Sequence, residues 1–318
     1  MNFPLPVPPE TVSFLRQYGS LYVIGHKEPD GDCIGSQIAL ASVISRLGKT
    51  AYLLNPGPFE RQEVMTWDAE FITSPDDAPP AEAAVVVDCS SEDRIGDFIN
   101  RIRDLPTLVI DHHATGEDFG TARYIRPTVP ATTILIASII ASLELEPTEN
   151  EANLLFLGLA TDTGFFRFIE SHQAVAFDAA AYLTRFGASP RRIDTAMFHN
   201  RSFESRLLVA RMIQRSERIA DNSMILTYQT TQDDLELGIR RDSDALYRLL
   251  LSVEQVRAIV VVKEKPEGCA VSLRSNDDFD VGALAKEFGG GGHQKAAGAF
   301  VRRPLTDVLS AFRIRLRT

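Results

Sequence analysis

The first two thirds of the chain alternate short apolar runs with longer segments of helical periodicity. The apolar runs cover residues 21–25, 51–54, 84–88 and 107–111. Helical patterns cover residues 34–47, 132–143, 150–160 and 173–186, the last between a Ser171 cap and Gly187. Because strands alternate with helices, this part is predicted to form βα units around a doubly wound, mostly parallel sheet.

The pattern changes after residue 189. Residues 189–202 are polar and irregular, and beyond them the periodicity restarts with a different rhythm. Helices are predicted at 203–215, 243–251, 281–288 and near the C-terminus, and strands at 223–229, 257–263, 268–274 and 298–302. We therefore predict an α/β fold with a first domain at residues 1–190, a linker at 191–203 and a second, smaller α+β domain at 204–318.

Length and composition fit two packed cores. The chain has 318 residues, of which 44% are hydrophobic and 24% charged, and this is the ordinary mixture of a globular protein. No stretch offers about 18 uninterrupted apolar residues, and the N-terminal residues lack the pattern of a signal peptide. The three cysteines, Cys33, Cys89 and Cys269, form no CxxC pair and predict neither a disulfide framework nor a cysteine zinc site. We therefore expect a cytoplasmic protein with no membrane partner.

The net charge limits the class of nucleic-acid ligand. Lys and Arg number 33 against 43 Asp and Glu, which gives a net charge of −10. Such a surface repels long duplex nucleic acid and anionic membranes. Any nucleic-acid ligand should therefore be short and held locally.

Acidic and histidine side chains follow the ends of the predicted strands and helices. They are His26, Asp30 and Asp32, then Asp88, then Asp111, His112 and His113, and finally Asp162 in the segment GLATDTG. Because the carboxyl ends of parallel strands meet at one edge of a sheet, these side chains are expected to lie together. At an effective dielectric near 20, two carboxylates about 4 Å apart repel by roughly 4 kcal/mol. Such a cluster needs cations.

The composition of the cluster indicates the metal and the chemistry. Oxygen-rich sites with some imidazole suit Mg²⁺ or Mn²⁺, and Mn²⁺ is the better match when histidines take part. Two divalent ions would balance the four carboxylates of Asp30, Asp32, Asp88 and Asp162. A metal pair is a standard arrangement for in-line displacement at phosphorus. The cluster therefore predicts phosphoester hydrolysis. For any one acid alone, a helix cap or a solvated loop is the alternative, and we expect Asp111 to orient His112 by accepting its second ring proton.

A glycine run in the second domain is a candidate phosphate site. The segment GGGGH at 289–293 separates a helical pattern from a small-residue stretch, and a flexible linker is the alternative interpretation. Glycines let a backbone approach a ligand closely, so Gly290, Gly291 and Gly292 are predicted to present N–H groups to a phosphate beside His293. Arg274, at the end of CAVSLR, is the candidate for a bidentate phosphate clamp, with a surface ion pair as the alternative.

Five segments carry a resemblance to a known family. HKEPDGDCIGS, VVVDCSSEDRIG, VIDHHATG and GLATDTG resemble the four ordered motifs of the DHH phosphoesterases, and GGGGHQKAAG resembles the motif of the DHH-associated C-terminal domain. The resemblance spans about residues 20 to 300. Within the family, the sequence is most similar to the bifunctional nanoRNases that are also pAp phosphatases.

The resemblance implies a role for each residue of the cluster. It implies that one Mn²⁺ is bound by His26, Asp30 and Asp88, and a second by Asp32, Asp88, His112 and Asp162, so that Asp88 bridges them. It implies that His113 faces the scissile phosphate as a hydrogen-bond donor or proton carrier, and that the second domain binds the terminal nucleotide.

The implied substrates are short single-stranded oligoribonucleotides, degraded to mononucleotides, and 3′-phosphoadenosine 5′-phosphate (pAp). Metal-assisted hydroxide would attack phosphorus in line. Two alternatives stay open, a phosphodiesterase for pApA or cyclic dinucleotides and, from another class, a nucleotide-binding sensor without turnover. Mg²⁺ in place of Mn²⁺ and a homodimer also stay open.

Overall fold

A computed structural model describes residues 3–199, 201–238 and 242–316 of the protein. The chain folds into two units, Met1–His199 and Asn200–Thr318. Among the helices in the described ranges, none combines the length and apolar character needed to cross a bilayer.

The first unit is a five-stranded sheet flanked by helices. Its elements are α1 (Pro9–Gln17), β1 (Ser20–Ile24), α2 (Gly31–Arg46), β2 (Thr50–Leu54), β3 (Ala83–Val87), α3 (Ile99–Ile102), β4 (Thr107–Asp111), β5 (Ala122–Ile125), α4 (Thr132–Ser142), α5 (Glu149–Asp162), α6 (Val175–Arg185) and α7 (Pro190–Phe198). The strand order is β2-β1-β3-β4-β5, and every pair is parallel. The predicted α/β class with a parallel sheet is confirmed.

Apolar side chains on both faces explain why the central strands are buried. Along β1, Leu21 and Val23 pack into the larger core, which also holds residues of α2, α4 and α5. The alternate residues Tyr22 and Ile24 pack into a second cluster on the opposite face, where α3 contributes Ile102. The strands are therefore fixed from both sides, and their carboxyl ends form a rigid edge.

The second unit is a mixed sheet with helices on both faces. Its elements are α8 (Phe203–Gln214), β6 (Glu217–Ile219), β7 (Met224–Gln229), α9 (Thr231–Leu237), α10 (Ser243–Leu251), β8 (Ala258–Lys265), β9 (Gly268–Ser275), α11 (Val281–Glu287), β10 (Gly291–His293), β11 (Ala296–Val301) and α12 (Leu305–Arg315). The strand order is β10-β11-β9-β8-β7-β6, with β7 and β8 parallel and the other pairs antiparallel. One apolar cluster lies under α11 and α12, and another under α8 and α10.

The structure differs from the sequence predictions at several places. The elements α1, α3, β5, α7, β6, α9 and β10 were not predicted. Residues 191–203 were predicted to be a linker, but α7 occupies most of this segment because Ser189 accepts a hydrogen bond from the Arg192 N–H and Pro190 fits the first turn. Ser171 begins a short 3-10 turn and does not cap α6.

A buried acid ties α5 to α2, the helix pair that carries part of the acidic cluster. Glu151, which is fully buried, closes a capping box with Thr148. Its carboxylate also accepts hydrogen bonds from Ser42 at 2.6 Å and from Arg46 at 2.7 Å. Both donors lie on α2. One side chain therefore sets the start of α5 and its contact with α2.

We expect Glu151→Ala to lower the free energy of unfolding by about 3 kcal/mol, because it removes a cap and leaves the partly buried Ser42 hydroxyl and the partly exposed Arg46 guanidinium without their acceptor. The measurement is chemical denaturation followed by circular dichroism. Glu149→Ala is the matched control, since Glu149 lies on the same helix in an exposed pair with Arg192. Equal losses in the two variants would contradict this role for Glu151.

Candidate metal centre

The fold gathers the predicted acids and histidines at the carboxyl edge of the parallel sheet. His26 follows β1, Asp30 and Asp32 lie at the start of α2, Asp88 follows β3, Asp111, His112 and His113 lie at the end of β4, and Asp162 is the last residue of α5. The strands β1, β3 and β4 are neighbours. The chain leaves β1 for β2 on one side and returns to β3 on the other, so the cluster lies at the topological switch point where α/β sheets open a crevice.

Asp88, after β3, lies between the two histidines that follow the strands on either side, His26 after β1 and His112 after β4. Its Oδ2 atom is 3.4 Å from Nε2 of His26, and its Oδ1 atom is 3.5 Å from Nε2 of His112. The Asp88 carboxylate is almost fully buried. Each of its oxygens therefore faces a different histidine, which is the arrangement of a bridging ligand.

The remaining acids divide between the same two histidines. Nε2 of His26 lies 3.9 Å from Oδ1 of Asp30. Nε2 of His112 lies 3.1 Å from Oδ2 of Asp162 and 4.0 Å from Oδ2 of Asp32. Ligand atoms of Asp32, His112 and Asp162 all lie within 4.8 Å of one another. The structure thus forms two subsets of donor atoms that share Asp88.

The ring of His112 is oriented for ligation. Its Nδ1 atom lies 3.1 Å from the carbonyl oxygen of Val129. A carbonyl only accepts, so Nδ1 carries the proton and the lone pair of the neutral ring is on Nε2. This Nε2 atom is buried and makes no hydrogen bond to any described residue, although it faces carboxylates. A buried ring nitrogen among carboxylates is a suitable ligand for a divalent cation that prefers oxygen and imidazole ligands.

The ring of His26 has two neighbours at its other nitrogen. Nδ1 lies 2.8 Å from the carbonyl oxygen of Lys27 and 2.8 Å from Nη2 of Arg94. These contacts require opposite states of Nδ1, because the carbonyl needs a proton there and the guanidinium needs a lone pair. Burial lowers the pKa of His26 and favours the neutral ring. We assign the proton to Nδ1, because this leaves the Nε2 lone pair facing Asp88.

Three of the acids are held by backbone and hydroxyl donors. Asp30 caps α2 and accepts hydrogen bonds from the N–H groups of Asp32 and Cys33 at 3.1 Å. Asp32 accepts hydrogen bonds from the N–H groups of Thr132 at 2.6 Å and Thr133 at 2.9 Å. The Thr132 hydroxyl donates to Oδ1 of Asp88 at 2.9 Å. Thr132 is not among the residues predicted from the sequence, where its signal is a polar pair, Thr132 and Thr133, before the apolar pattern of α4.

The crowding of the acids changes their pKa values. Burial raises the pKa of Asp88 well above its usual value, and the charges of Asp32 and Asp30 add to the effect. Burial also raises the pKa of Asp162 to about 7, with a further contribution from Asp32. Burial alone would lower the pKa of His112, but its contact with Asp162 and the charge of Asp32 outweigh burial and raise this pKa to about 9. The metal-free cluster therefore retains protons near neutral pH.

Cys33 lies close to His26 and Asp88. The Sγ atom of Cys33, a ring nitrogen of His26 and a carboxylate oxygen of Asp88 all lie within 4.8 Å of one another. Burial raises the pKa of its thiol well above the usual value, and the charge of Asp88 acts in the same direction. The thiol contacts the side-chain amides of Gln37 and Asn55 at 3.6 and 3.7 Å. Burial and the contact with Gln37 favour the protonated thiol in the metal-free protein.

Asp111 contacts a different histidine from the one predicted. The sequence analysis expected Asp111 to accept a ring proton from His112, but that proton goes to Val129. Oδ1 of Asp111 lies 2.7 Å from Nδ1 of His113 and also accepts hydrogen bonds from the N–H groups of His112 and His113. The chain turns directly after β4, and this turn brings the second histidine back over the acid. Asp111 therefore orients His113, whose side chain is half exposed.

The glycine run of the second unit, the predicted phosphate site, lies partly in a strand. The N–H groups of Gly289 and Gly290 donate to carbonyls at the end of α11, and Gly291–His293 form the edge strand β10. Gly290 and Gly292 are required by packing, because a Cβ atom would come within 2.1 Å and 2.6 Å of carbonyl oxygens of β11. A Cβ atom on Gly291 would meet nothing within 4 Å, and His293 is exposed. Gly292 is exposed like His293, so its packing against β11 leaves its outer side open to a ligand.

Arg274 lies on β9 with its guanidinium over an aromatic ring. Its Cζ atom is 4.9 Å from the ring centroid of Tyr247 on α10, and its Nη1 atom donates to the carbonyl of Leu273 at 2.9 Å. A stacked guanidinium keeps its outer donors available while its plane is fixed. This geometry is compatible with an anion clamp.

The two units match two family models. Residues 20–159 match the DHH family, N-terminal domain, and residues 236–314 match the DHHA1 domain. The bifunctional oligoribonuclease and PAP phosphatase NrnA of Thermus thermophilus is 30% identical over 292 residues, which cover 89% of this chain and 85% of that protein. The resemblance stated from the sequence motifs is confirmed.

Two further relatives extend the comparison. The cyclic-di-AMP phosphodiesterase GdpP of Bacillus subtilis is 26% identical over 88% of this chain, and the match covers 44% of GdpP. The crystal structure of an exopolyphosphatase-related protein from Bacteroides fragilis superposes with a TM-score of 0.85 at 22% identity, over 96% of this chain and 94% of that one, so it has the same fold. The chain belongs to the DHH family of phosphoesterases, which hydrolyse phosphoester bonds.

Proposed function

We propose that the protein hydrolyses short single-stranded oligoribonucleotides to mononucleotides and removes the 3′ phosphate from pAp, with two Mn²⁺ ions as cofactors and Mg²⁺ as a substitute. The Thermus relative is named for these two activities and matches most of both chains. The observation that carries the proposal is the position of Asp88, whose two oxygens face two buried histidines. We also propose that long duplex nucleic acid is not a substrate, which the net charge of −10 supports.

We assign the ligands in two sets that share one acid. His26, Asp30 and Asp88 hold one ion, and Asp32, Asp88, His112 and Asp162 hold the other. Both sets offer carboxylate oxygen and imidazole nitrogen, which suit Mn²⁺. Bound divalent cations lower the pKa of water and neutralise charge on a phosphoryl group.

We assign the transfer of a proton to the leaving oxygen to His113. Contacts of Asp111 with His113 lower the pKa of that acid against the opposing effect of burial, so it stays a carboxylate. A carboxylate 2.7 Å from Nδ1 holds the ring proton there and directs Nε2 to the opposite side. Because the His113 side chain is half exposed, Nε2 can reach a substrate. His113 thus donates from Nε2, while Asp111 holds the orientation of its ring.

The second unit would bind the remainder of the nucleotide. Arg274, held on the ring of Tyr247, binds a phosphate through its outer guanidinium nitrogens. Gly291 and His293, at the sheet edge, lie in the strand that follows α11 and complete this surface. We further propose a cytoplasmic location, because short RNA fragments and pAp arise there.

A phosphodiesterase for pApA or cyclic dinucleotides is the second candidate. The similarity to GdpP of Bacillus subtilis, named as a cyclic-di-AMP phosphodiesterase, favours it. The same metal centre would serve both substrates. Relative rates on two- to five-nucleotide RNA, pAp, pApA and cyclic di-AMP separate the candidates, and nucleotide binding without any turnover in Mn²⁺ would favour a sensor.

We expect Asp88→Ala and His113→Ala each to reduce the rate of hydrolysis of labelled two- to five-nucleotide RNA by about 10² to 10³-fold in Mn²⁺. Asp88→Ala removes the shared ligand, and His113→Ala removes the proton donor. His172→Ala is the control, because His172 is an exposed histidine of the same unit outside the cluster. Equal rates in the wild type and both site variants would refute the assignment.

We expect Arg274→Ala to raise KM for pAp and short RNA while kcat changes little, because the residue binds substrate away from the reacting atoms. The KM of Arg274→Lys should stay close to that of Arg274→Ala, since an ammonium cannot replace a bidentate, stacked guanidinium. Arg302→Ala is the control, because Arg302 is an exposed arginine of the same unit that contacts Phe300. A KM that is unchanged in Arg274→Ala would remove this residue from the substrate site.

We expect the melting temperature of the metal-free protein to fall as the pH rises from 5 to 9. The folded pKa of Asp162 is about 7 against an ordinary 3.8, and that of His112 is about 9 against 6.5. Both groups bind more protons in the folded state than in the unfolded state, so each stabilises the fold only while it is protonated. The contribution of Asp162 is lost between about pH 4 and 7, and that of His112 between about pH 6.5 and 9.

The measurement is thermal unfolding in chelator across this pH range, with Asp162→Asn as the comparison. The variant should show a shallower decline. Saturating Mn²⁺ should reverse the slope in the wild type, because the metal competes with these protons. An identical decline in wild type and Asp162→Asn would contradict the role given to Asp162.

A further inference from the structure

We propose that Thr132, the first residue of α4, is a positioning residue that fixes the Asp88 carboxylate so that each of its oxygens faces one histidine. The inference rests on the proposed metal ligation and adds a residue that lies outside all five family-like segments of the sequence. Thr132 thus links the start of α4 to two of the proposed metal ligands, Asp32 and Asp88.

The contacts of Thr132 join two parts of the cluster. Its side chain is fully buried, and its hydroxyl donates to Oδ1 of Asp88 at 2.9 Å. Its N–H group donates to Oδ2 of Asp32 at 2.6 Å, and the N–H group of Thr133 donates to Oδ1 of Asp32 at 2.9 Å. One residue therefore contacts the shared acid through its side chain and a second acid through its backbone.

Asp32 replaces the local cap that α4 lacks. The residue before the helix, Ala131, has no side chain that can accept a hydrogen bond, so the first N–H groups of α4 would otherwise be unsatisfied in a buried position. The carboxylate of Asp32, from the start of α2, accepts two of them. The electrostatic field at a helix N-terminus also favours a negative charge there. The start of α4 is thereby locked against α2, and this fixes the direction of the Thr132 hydroxyl.

The Asp88 carboxylate needs an external constraint. Asp88 has a φ of +56°, a left-handed conformation that non-glycine residues seldom adopt, and the torsion that rotates its carboxylate is intrinsically broad. The oxygen that accepts from Thr132 is the one 3.5 Å from His112, and the other lies 3.4 Å from His26. Fixing Oδ1 therefore fixes the carboxylate plane and the direction of both oxygens.

A purely structural role makes a different prediction. If the hydroxyl only satisfied a buried contact, its removal would lower stability and leave metal affinity unchanged. If it positions Asp88, its removal weakens the binding of Mn²⁺, and outer contacts of this kind typically change metal affinity by about 10- to 100-fold.

The experiment is titration calorimetry of Mn²⁺ into the metal-free protein, with wild type, Thr132→Val and Thr132→Ser compared. We expect Thr132→Val, which keeps the shape but loses the hydroxyl, to bind Mn²⁺ about 10- to 100-fold more weakly. Thr132→Ser should restore the affinity. The matched control is Thr227→Val, which removes a buried threonine hydroxyl bonded to the Met212 carbonyl in the other unit and should leave the affinity unchanged.

Each outcome decides the inference separately from the substrate assignment. Wild-type affinity in Thr132→Val would overturn the positioning role, even if the protein hydrolyses short RNA as proposed. Weaker binding in Thr132→Val with rescue by serine would support it, even if another phosphoester is the substrate. Should Thr132→Val fail to fold, Thr132→Ala, which lacks the hydroxyl and adds no methyl group beside the carboxylate, takes its place with the same expected result.

Discussion

Repulsion between buried carboxylates is the constraint on which the centre depends. Asp32 and Asp88 are almost fully removed from solvent, and both acids have raised pKa values because burial disfavours their charged forms. The protein balances part of this charge with fixed donors, among them the first N–H groups of α4 for Asp32 and the hydroxyl of Thr132 for Asp88. Dipoles of this kind orient an acid without cancelling its charge. The divalent cations proposed for this centre would supply what the dipoles do not.

Close packing of helices makes such crowding geometrically achievable. A Cβ atom on Gly35 of α2 would lie 2.4 Å from the Leu154 carbonyl of α5, and one on Gly158 of α5 would lie 2.9 Å from the Cα atom of Asp32. The two helices therefore approach with backbone against backbone, and their acids, one at the start of α2 and one at the end of α5, converge on His112. The glycines of the segments DCIGS and GLATDTG thus serve the same centre as the acids beside them.

The sequence predicted the members of the cluster because their positions follow from chain direction. An acid that directly follows a parallel strand, such as Asp88, lies at the carboxyl edge whatever the details of packing. The partners of these side chains depend on the turn after each strand and on contacts between distant elements. The pairing of Asp111 with His113 is set by a turn, and that of Thr132 with Asp88 joins residues 44 positions apart. Local patterns of polarity carry no information on either contact. The packing constraint on Gly290 is hidden for a related reason, since it comes from the neighbouring strand β11.

Substrate choice must lie outside the metal centre. A P–O ester bond and a water react in pAp, in a dinucleotide and in a short RNA, and a site that recognises only these atoms cannot identify the nucleoside or the length of the chain. Discrimination therefore depends on groups that contact the base, the sugar or a second phosphate. In the second unit, the guanidinium of Arg274 is fixed on Tyr247 and can bind one phosphate in a defined orientation. An overall charge of −10 disfavours a longer run of phosphates. A protein of this charge can hold a short oligonucleotide because a few fixed cationic contacts act locally, where they outweigh the weak, screened repulsion of the rest of the surface.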